Sequence, residues 1–180
     1  ALPISNRNRY RSDMGMVFQH FNLFPHMTIL ENITYGKPDT PEEDAIKASS
    51  VSGAHSFIRK LPNKYQEELS SSRDDISEGQ RQLLAITRAM VSDPSILILD
   101  EATSSVDTRT EKNIQDAMVK LMQNRTSLII AHRLSTIQDA DKIVVMDKGR
   151  VVEMGNHQEL LEKKGSYYDL YMTQFAGSAT

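Results

Sequence analysis

One stretch constrains this chain more than any other: SILILDEATSSVD, residues 95–107, in which four large aliphatic residues run directly into adjacent carboxylates, Asp100 and Glu101. Bounded by Asp93 and Pro94, the run has the length of a strand rather than a helix. Two further runs of the same kind follow, TSLIIA and DKIVVMD. Uninterrupted apolar strands are those buried on both faces, and they sit in parallel sheets flanked by helices. Helical segments alternate with them, so the sequence predicts an α/β fold with a mostly parallel central sheet. In such sheets chemistry gathers at the carboxyl ends of the strands, which is where Asp100 and Glu101 stand.

The remaining elements follow from local signals. MGMVF reads as a short buried strand. PHMTILENITYG reads as a loop and a short helix halted by Gly36 and Pro38. In DTPEEDAIKASSV, Thr40 is the expected cap, with Pro41 in the first turn and Glu42 and Glu43 against the helix dipole. A helix is expected over 55–61, and NKYQEELSSSRDD reads as polar loop. A longer helix runs over 77–90, where Ser77 and Gln80 have capping-box spacing. Asp107 can cap the next helix, whose Ile114, Ala117, Met118, Leu121 and Met122 form one apolar stripe. Lys148-Gly149 marks a tight hairpin turn into RVVEM. Asn156 with Glu159 offers another capping box, and a last helix spans 167–175.

Composition narrows the function. Lys and Arg number 21 against 24 Asp and Glu, for a net charge of −3. That balance lacks the basic footprint of a nucleic-acid binder. With no cysteine there is neither a disulfide framework nor a thiolate metal site. No apolar stretch approaches the roughly 20 residues that span a bilayer as a helix.

A strand-end carboxylate in a nucleotide-hydrolysing enzyme commonly holds magnesium, and a neighbouring one can take a proton from an attacking water. By itself an Asp-Glu pair more often just ends a strand in a solvated turn. Three other stretches bear on the choice. In ISEGQRQLLAITRAM, Ser77 and Gly79 open a helix whose first N–H groups lack partners and whose dipole favours anions. In TSLIIAHRLST, His132 stands just past a strand, and in MVFQH, Gln19 ends the first one. Each alone has an ordinary structural explanation.

Together ISEGQRQLLAITRA, ILILDEATSSVD and AHRLSTIQDADKIVVMDKGRVVEMGNHQELL closely resemble the nucleotide-binding domain of ATP-binding-cassette transporters, from Gly15 to the C-terminus. The tail and NITYGKPDTPEEDAIKAS look most like bacterial exporters, while NLFPHMTILEN looks more like importer ATPases. The resemblance implies a partial P-loop NTPase-like domain with a helical signature subdomain. It implies a layout of a Q-loop and signature region at about 20–92, a core sheet at about 93–155 and C-terminal helices at 156–180. It implies ATP and Mg2+ as cofactors, a second nucleotide-binding domain and a transmembrane domain as partners, and a place at the cytoplasmic face of a membrane. Gln19 would be the Q-loop glutamine that senses magnesium and water. Ser77, Glu78, Gly79 and Gln80 would be the signature that closes over ATP held by a second copy. Asp100 would be the magnesium acid, Glu101 the general base, Asp107 the acid at the dimer seam and His132 the switch histidine at the γ-phosphate.

Two departures stand out. The phosphate-cradling loop G-x-x-x-x-G-K-[ST] does not occur: Gly-Lys is found once, at Gly36-Lys37, with Pro38 following and Glu31 in place of the first glycine. The sequence is therefore expected to be a truncated domain that by itself binds ATP poorly and hydrolyses it negligibly. SSSRDD, residues 70–75, stands where family exporters have a Gly-Glu-rich loop touching the membrane domain. Two other readings remain: a catalytically silent piece supplying only the signature half-site, and a nucleic-acid-linked ATPase, suggested by the similarity of DEAT to a helicase acid motif. The acidic balance argues against the second.

Overall fold

The computed structural model describes residues 14–17, 23–70, 76–100, 108–131 and 134–176. Strands β1 (Met14–Val17), β2 (Ile96–Asp100) and β3 (Thr126–Ile130) form a parallel sheet with β2 in the middle. Parallel neighbours need long crossovers, and here helices supply them. Between β1 and β2 run α1 (Ile29–Thr34), α2 (Glu42–Ser52), the single turn α3 (His55–Ile58), a 3-10 turn at Lys64–Gln66, and α4 (Glu78–Ser92). Helix α5 (Thr108–Met122) lies between β2 and β3. All of these belong to one unit, Ala1–Ile130.

The core of that unit is set by α4, whose Leu83, Leu84, Ile86 and Ala89 are buried against α1, α2 and α5. The apolar stripe expected on α5 is there: Ile114, Ala117, Met118 and Leu121 are buried. Helix α4 ends at Asp93, which takes a left-handed conformation (φ 47°) and ion-pairs with Arg125 at 2.5 Å. Pro94 then leads into β2, and Gly15 on β1 lies so close that a Cβ there would come within 2.4 Å of the proline ring.

The second unit, Ala131–Thr180, contains β4 (Ile143–Asp147), β5 (Arg150–Gly155), α6 (His157–Lys163) and α7 (Ser166–Ala176). The hairpin forms as expected, with Lys148 and Gly149 both at positive φ (47° and 76°), the two-residue turn that matches strand twist. Ile143, Val145, Leu160 and Tyr167 are its core. The Asn156–Glu159 capping box opens α6, and the Glu153 carboxylate accepts the Ser166 and Tyr167 N–H groups at the start of α7 (3.1 and 2.8 Å). Among the described residues no helix is long and apolar enough to cross a membrane.

Three expectations are corrected. Among the described residues of this chain the strands are covered on one face: Leu97, Leu99 and Val17 are buried, whereas Met14, Met16, Ile96, Leu128 and Ile130 on the alternate positions are 41–58% exposed. An apolar run reports that a side chain prefers burial; it does not supply the element that buries it. The third run, DKIVVMD, is not a parallel strand but one arm of the β4–β5 hairpin, because a two-residue turn permits only antiparallel pairing. Thr40 is not a helix cap. Its hydroxyl donates to the Lys37 carbonyl at 2.7 Å, closing the preceding turn, and Pro41 takes the N-cap position without a side-chain bond.

Candidate functional site

Four of the expected site residues share one turn. Ser77 sits outside the helix in extended conformation (φ −66°, ψ 160°). Its Oγ accepts the Gln80 N–H at 3.3 Å, and the Gln80 side-chain oxygen accepts the Ser77 N–H at 2.9 Å. The Arg81 N–H closes the first turn on the Ser77 carbonyl at 3.0 Å. Helix geometry leaves the N–H groups of Glu78 and Gly79 without intrahelical acceptors. Gly79 is buried, while Ser77 and Glu78 are exposed, so the turn pairs an outward rim with a side chain reduced to hydrogen. The Ser77 hydroxyl uses a lone pair in the cap and keeps its proton for another acceptor.

The fifth, Asp100, is the last residue of β2 and half-buried. It stands directly opposite Ile130 of β3, and Val17, Leu99 and Ile129 are in register across the three strands. The three carboxyl ends are thus adjacent along one edge of the sheet. Gln19, Glu101, Asp107 and His132 lie outside the described residues, as do 71–75 of the SSSRDD stretch.

The described residues suit a nucleotide and its metal. Unmatched N–H groups at the start of a 15-residue helix are the donors a phosphate takes. Among the described residues no cluster of three or more His, Cys, Asp or Glu could cage a metal. A single strand-end carboxylate is instead the kind of ligand magnesium accepts, since it keeps its waters and completes its shell with substrate phosphates.

A second cluster, which no motif along the chain marks, is built from Phe24, Asn32, Tyr35 and Arg88. Asn32 on α1 is fully buried and accepts the Phe24 N–H on Oδ1 (2.8 Å), while its Nδ2 donates to the carbonyls of Phe24 and Thr28 (3.0 and 3.1 Å). Arg88 on α4 donates Nε to the Asn32 carbonyl (2.7 Å) and a terminal nitrogen to Asn32 Oδ1 (3.0 Å). Its guanidinium lies over the Phe24 and Tyr35 rings, 5.3 and 5.9 Å from their centroids, and the rings stack on each other at 4.1 Å. Burial lowers the Arg88 pKa from its ordinary value, which the nearby Tyr35 partly offsets. The partners are 56 residues apart, so no spacing in the chain announces them.

A parallel sheet with helical crossovers whose central strand ends in an acid is the framework of an α/β nucleotide-binding domain. The family described as ABC transporter matches residues 2–104, and the chain belongs to that family. It is 51% identical to the ABC transporter ATP-binding protein YfiC of Bacillus subtilis (strain 168), over 94% of this chain and 28% of that protein. It is 49% identical to the fatty acid ABC transporter ATP-binding/permease protein of Mycobacterium tuberculosis, over 92% of the chain and 26% of that protein. It is 47% identical to the ATP-dependent lipid A-core flippase of Desulfotalea psychrophila, over 93% and 29%. The chain therefore spans between a quarter and a third of the length of these relatives.

Proposed function

We propose that this chain is part of the ATPase domain of an exporter that moves lipid-like or other apolar cargo, coupling ATP hydrolysis to transport. The support for cargo is a pair of relatives named for lipids, a fatty acid transporter and a lipid A-core flippase, and the exporter reading rests on the likeness of NITYGKPDTPEEDAIKAS and the tail to bacterial exporters. The support for the site is a single observation: the strands that precede Gln19, Glu101 and His132 in sequence end beside one another, with Asp100 at the central tip. ATP with Mg2+ would supply the phosphoanhydride and the charge that neutralises its leaving oxygens. In this reading Asp100 holds the metal or its water, Glu101 takes the proton of the attacking water, and His132 and Gln19 orient the water and the terminal phosphate. Ser77, Glu78, Gly79 and Gln80 close over a nucleotide bound to a second cassette, and Asp107 lies at the seam. The partners are that second cassette and a transmembrane domain, at the cytoplasmic face of the membrane.

The test is Glu101→Gln, with the chain assembled beside a segment bearing a phosphate loop. Hydrolysis should fall by about 100- to 10,000-fold while nucleotide still binds. Unchanged turnover removes Glu101 from the role.

A second reading has its own support, the formed Ser77–Gln80 capping box with Gly79 buried in its first turn. The chain would then lend only Ser77–Gln80 to ATP held by an intact partner. Mixed with such a partner, the chain should raise its hydrolysis, Gly79→Val should remove the gain, and Glu101→Gln should leave it intact. A gain that Glu101→Gln abolishes returns the chain to the first reading.

A further inference from the structure

Arg88 is placed as a connector rather than as a surface charge. It belongs to the helix that Ser77–Gln80 open, yet its planar fork closes on the carbonyl and side-chain oxygens of Asn32 in α1. Two of its donors are held at fixed angles, a geometry that lysine cannot copy. Asn32 in turn fixes the backbone of the 23–28 segment, so that Phe24 cannot move independently of α1. The outer leaf of the stack, Tyr35, is 50% exposed. Two residues past the end of α1, Gly36 packs against α4, where a Cβ would come within 2.4 Å of the Ser92 hydroxyl and displace it. An exposed aromatic ring is thereby fastened to a rigid 15-residue helix at two points, one near its end and one a turn earlier.

We propose that Arg88 is a positioning residue that couples the Phe24–Tyr35 surface to the capped N-terminus of α4, so that a change at Tyr35 is felt at Ser77–Gln80. The physical route is short: ring to guanidinium by cation–π contact, guanidinium to Asn32 and α1 by charge-assisted hydrogen bonds, and along α4 as a rod. Its functional meaning rests on the reading of Ser77–Gln80 as nucleotide-facing, and it makes the Tyr35 face an input to that site.

Hydrogen exchange followed by NMR on the 180-residue chain tests the coupling without any nucleotide. The reporters are the Gln80 and Arg81 amides, which bond to the Ser77 side chain and carbonyl and exchange when the cap opens. Tyr35→Ala should speed their exchange by about threefold or more in the natural background. With Arg88→Lys, which keeps the charge and loses the fork, the same Tyr35→Ala change should produce no further acceleration. The amide of Leu121, buried in α5, monitors global stability and should not move with the cap.

An equal effect of Tyr35→Ala in both backgrounds overturns the proposal, as does acceleration shared by Leu121, which would mean simple loss of stability. No effect at Gln80 and Arg81 overturns it too. Should Arg88→Lys fail to fold, Tyr35→Phe and Phe24→Leu in the natural chain provide the same comparison: coupling predicts that each alters the cap amides and that their joint effect is non-additive. The coupling stands or falls on these rates alone, whereas the nucleotide reading fails separately if Gln80→Glu leaves nucleotide affinity unchanged.

Discussion

Helices α1 and α4 start with the same device and put it to different ends. Each opens with a hydroxyl residue whose oxygen takes the N–H three residues on, while that residue's side chain returns a bond to the cap. In α1 the returning group is the carboxylate of Glu31, 2.7 Å from the Thr28 N–H and 2.9 Å from its hydroxyl. A negative charge thus sits on the positive end of the dipole and saturates it. In α4 the returning group is the neutral amide of Gln80. The cap is closed without a charge of its own, so that the carboxylate nearest the dipole is that of the exposed Glu78 in the first turn, beside Gly79. Helix α6 resembles α1, with Glu159 as the returning group. A capping box by itself therefore says only that a helix begins. Whether the beginning can receive an anion depends on the charges its whole first turn carries and on the bulk of its second residue.

The largest effect expected tests the structural side of the contrast. Asn32→Leu removes five side-chain hydrogen bonds around the α1 start, among them the acceptor of the Phe24 N–H and that of one Arg88 terminal nitrogen, costing about 3 kcal/mol or more. Urea denaturation measures it, and a loss below about 1 kcal/mol would show that the network has little energetic weight. Next, Gln80→Glu makes the α4 start like that of α1. Nucleotide affinity in the assembled cassette should fall by about tenfold, with the stability of the chain unchanged or slightly raised. Undiminished affinity would break the comparison.

Ser77→Ala and Thr28→Ala should each cost about 1 kcal/mol, because both remove a side-chain acceptor from a first-turn N–H. Only the first should also weaken nucleotide closure, and equal functional losses would erase the distinction. The smallest effect is a pH dependence. Hydrogen bonds from the Thr28 backbone and hydroxyl hold the Glu31 pKa below its ordinary 4.5. Since the folded value is depressed, its stabilisation is present above the unfolded pKa and is lost as pH falls below 4.5 through the folded one. Glu31→Gln should remove that part of the acid sensitivity in melting curves taken across this range, and Gln80→Glu should introduce a similar one at α4.

Much of this could be read along the chain. The Ser77–Gln80 and Asn156–Glu159 boxes, the α5 stripe and the Lys148-Gly149 turn each depend on residues within one or two turns of one another, and all form as their spacing requires. The Thr28–Glu31 box has equally good spacing in T-I-L-E, yet it was overshadowed because α1 has only six residues, too short to show a helical period. Thr40 misled because a hydroxyl can serve the turn behind it as readily as the helix ahead. The apolar strands announced their preference for burial but not their neighbours, so the exposed face of β1–β3 and the separate pairing of β4 could not be read from them.

The sequence alone determined the kind of elements and their order, and through DEAT, SEGQ and the strand runs the family to which the chain belongs, because these signals are local or matched residue for residue. Only the tertiary structure decided which strand is central, which face of the sheet is covered, and that Arg88 reaches Asn32 from 56 positions away. Those outcomes depend on contacts between elements distant in the chain, which form when whole faces pack together and leave no periodic trace in either partner.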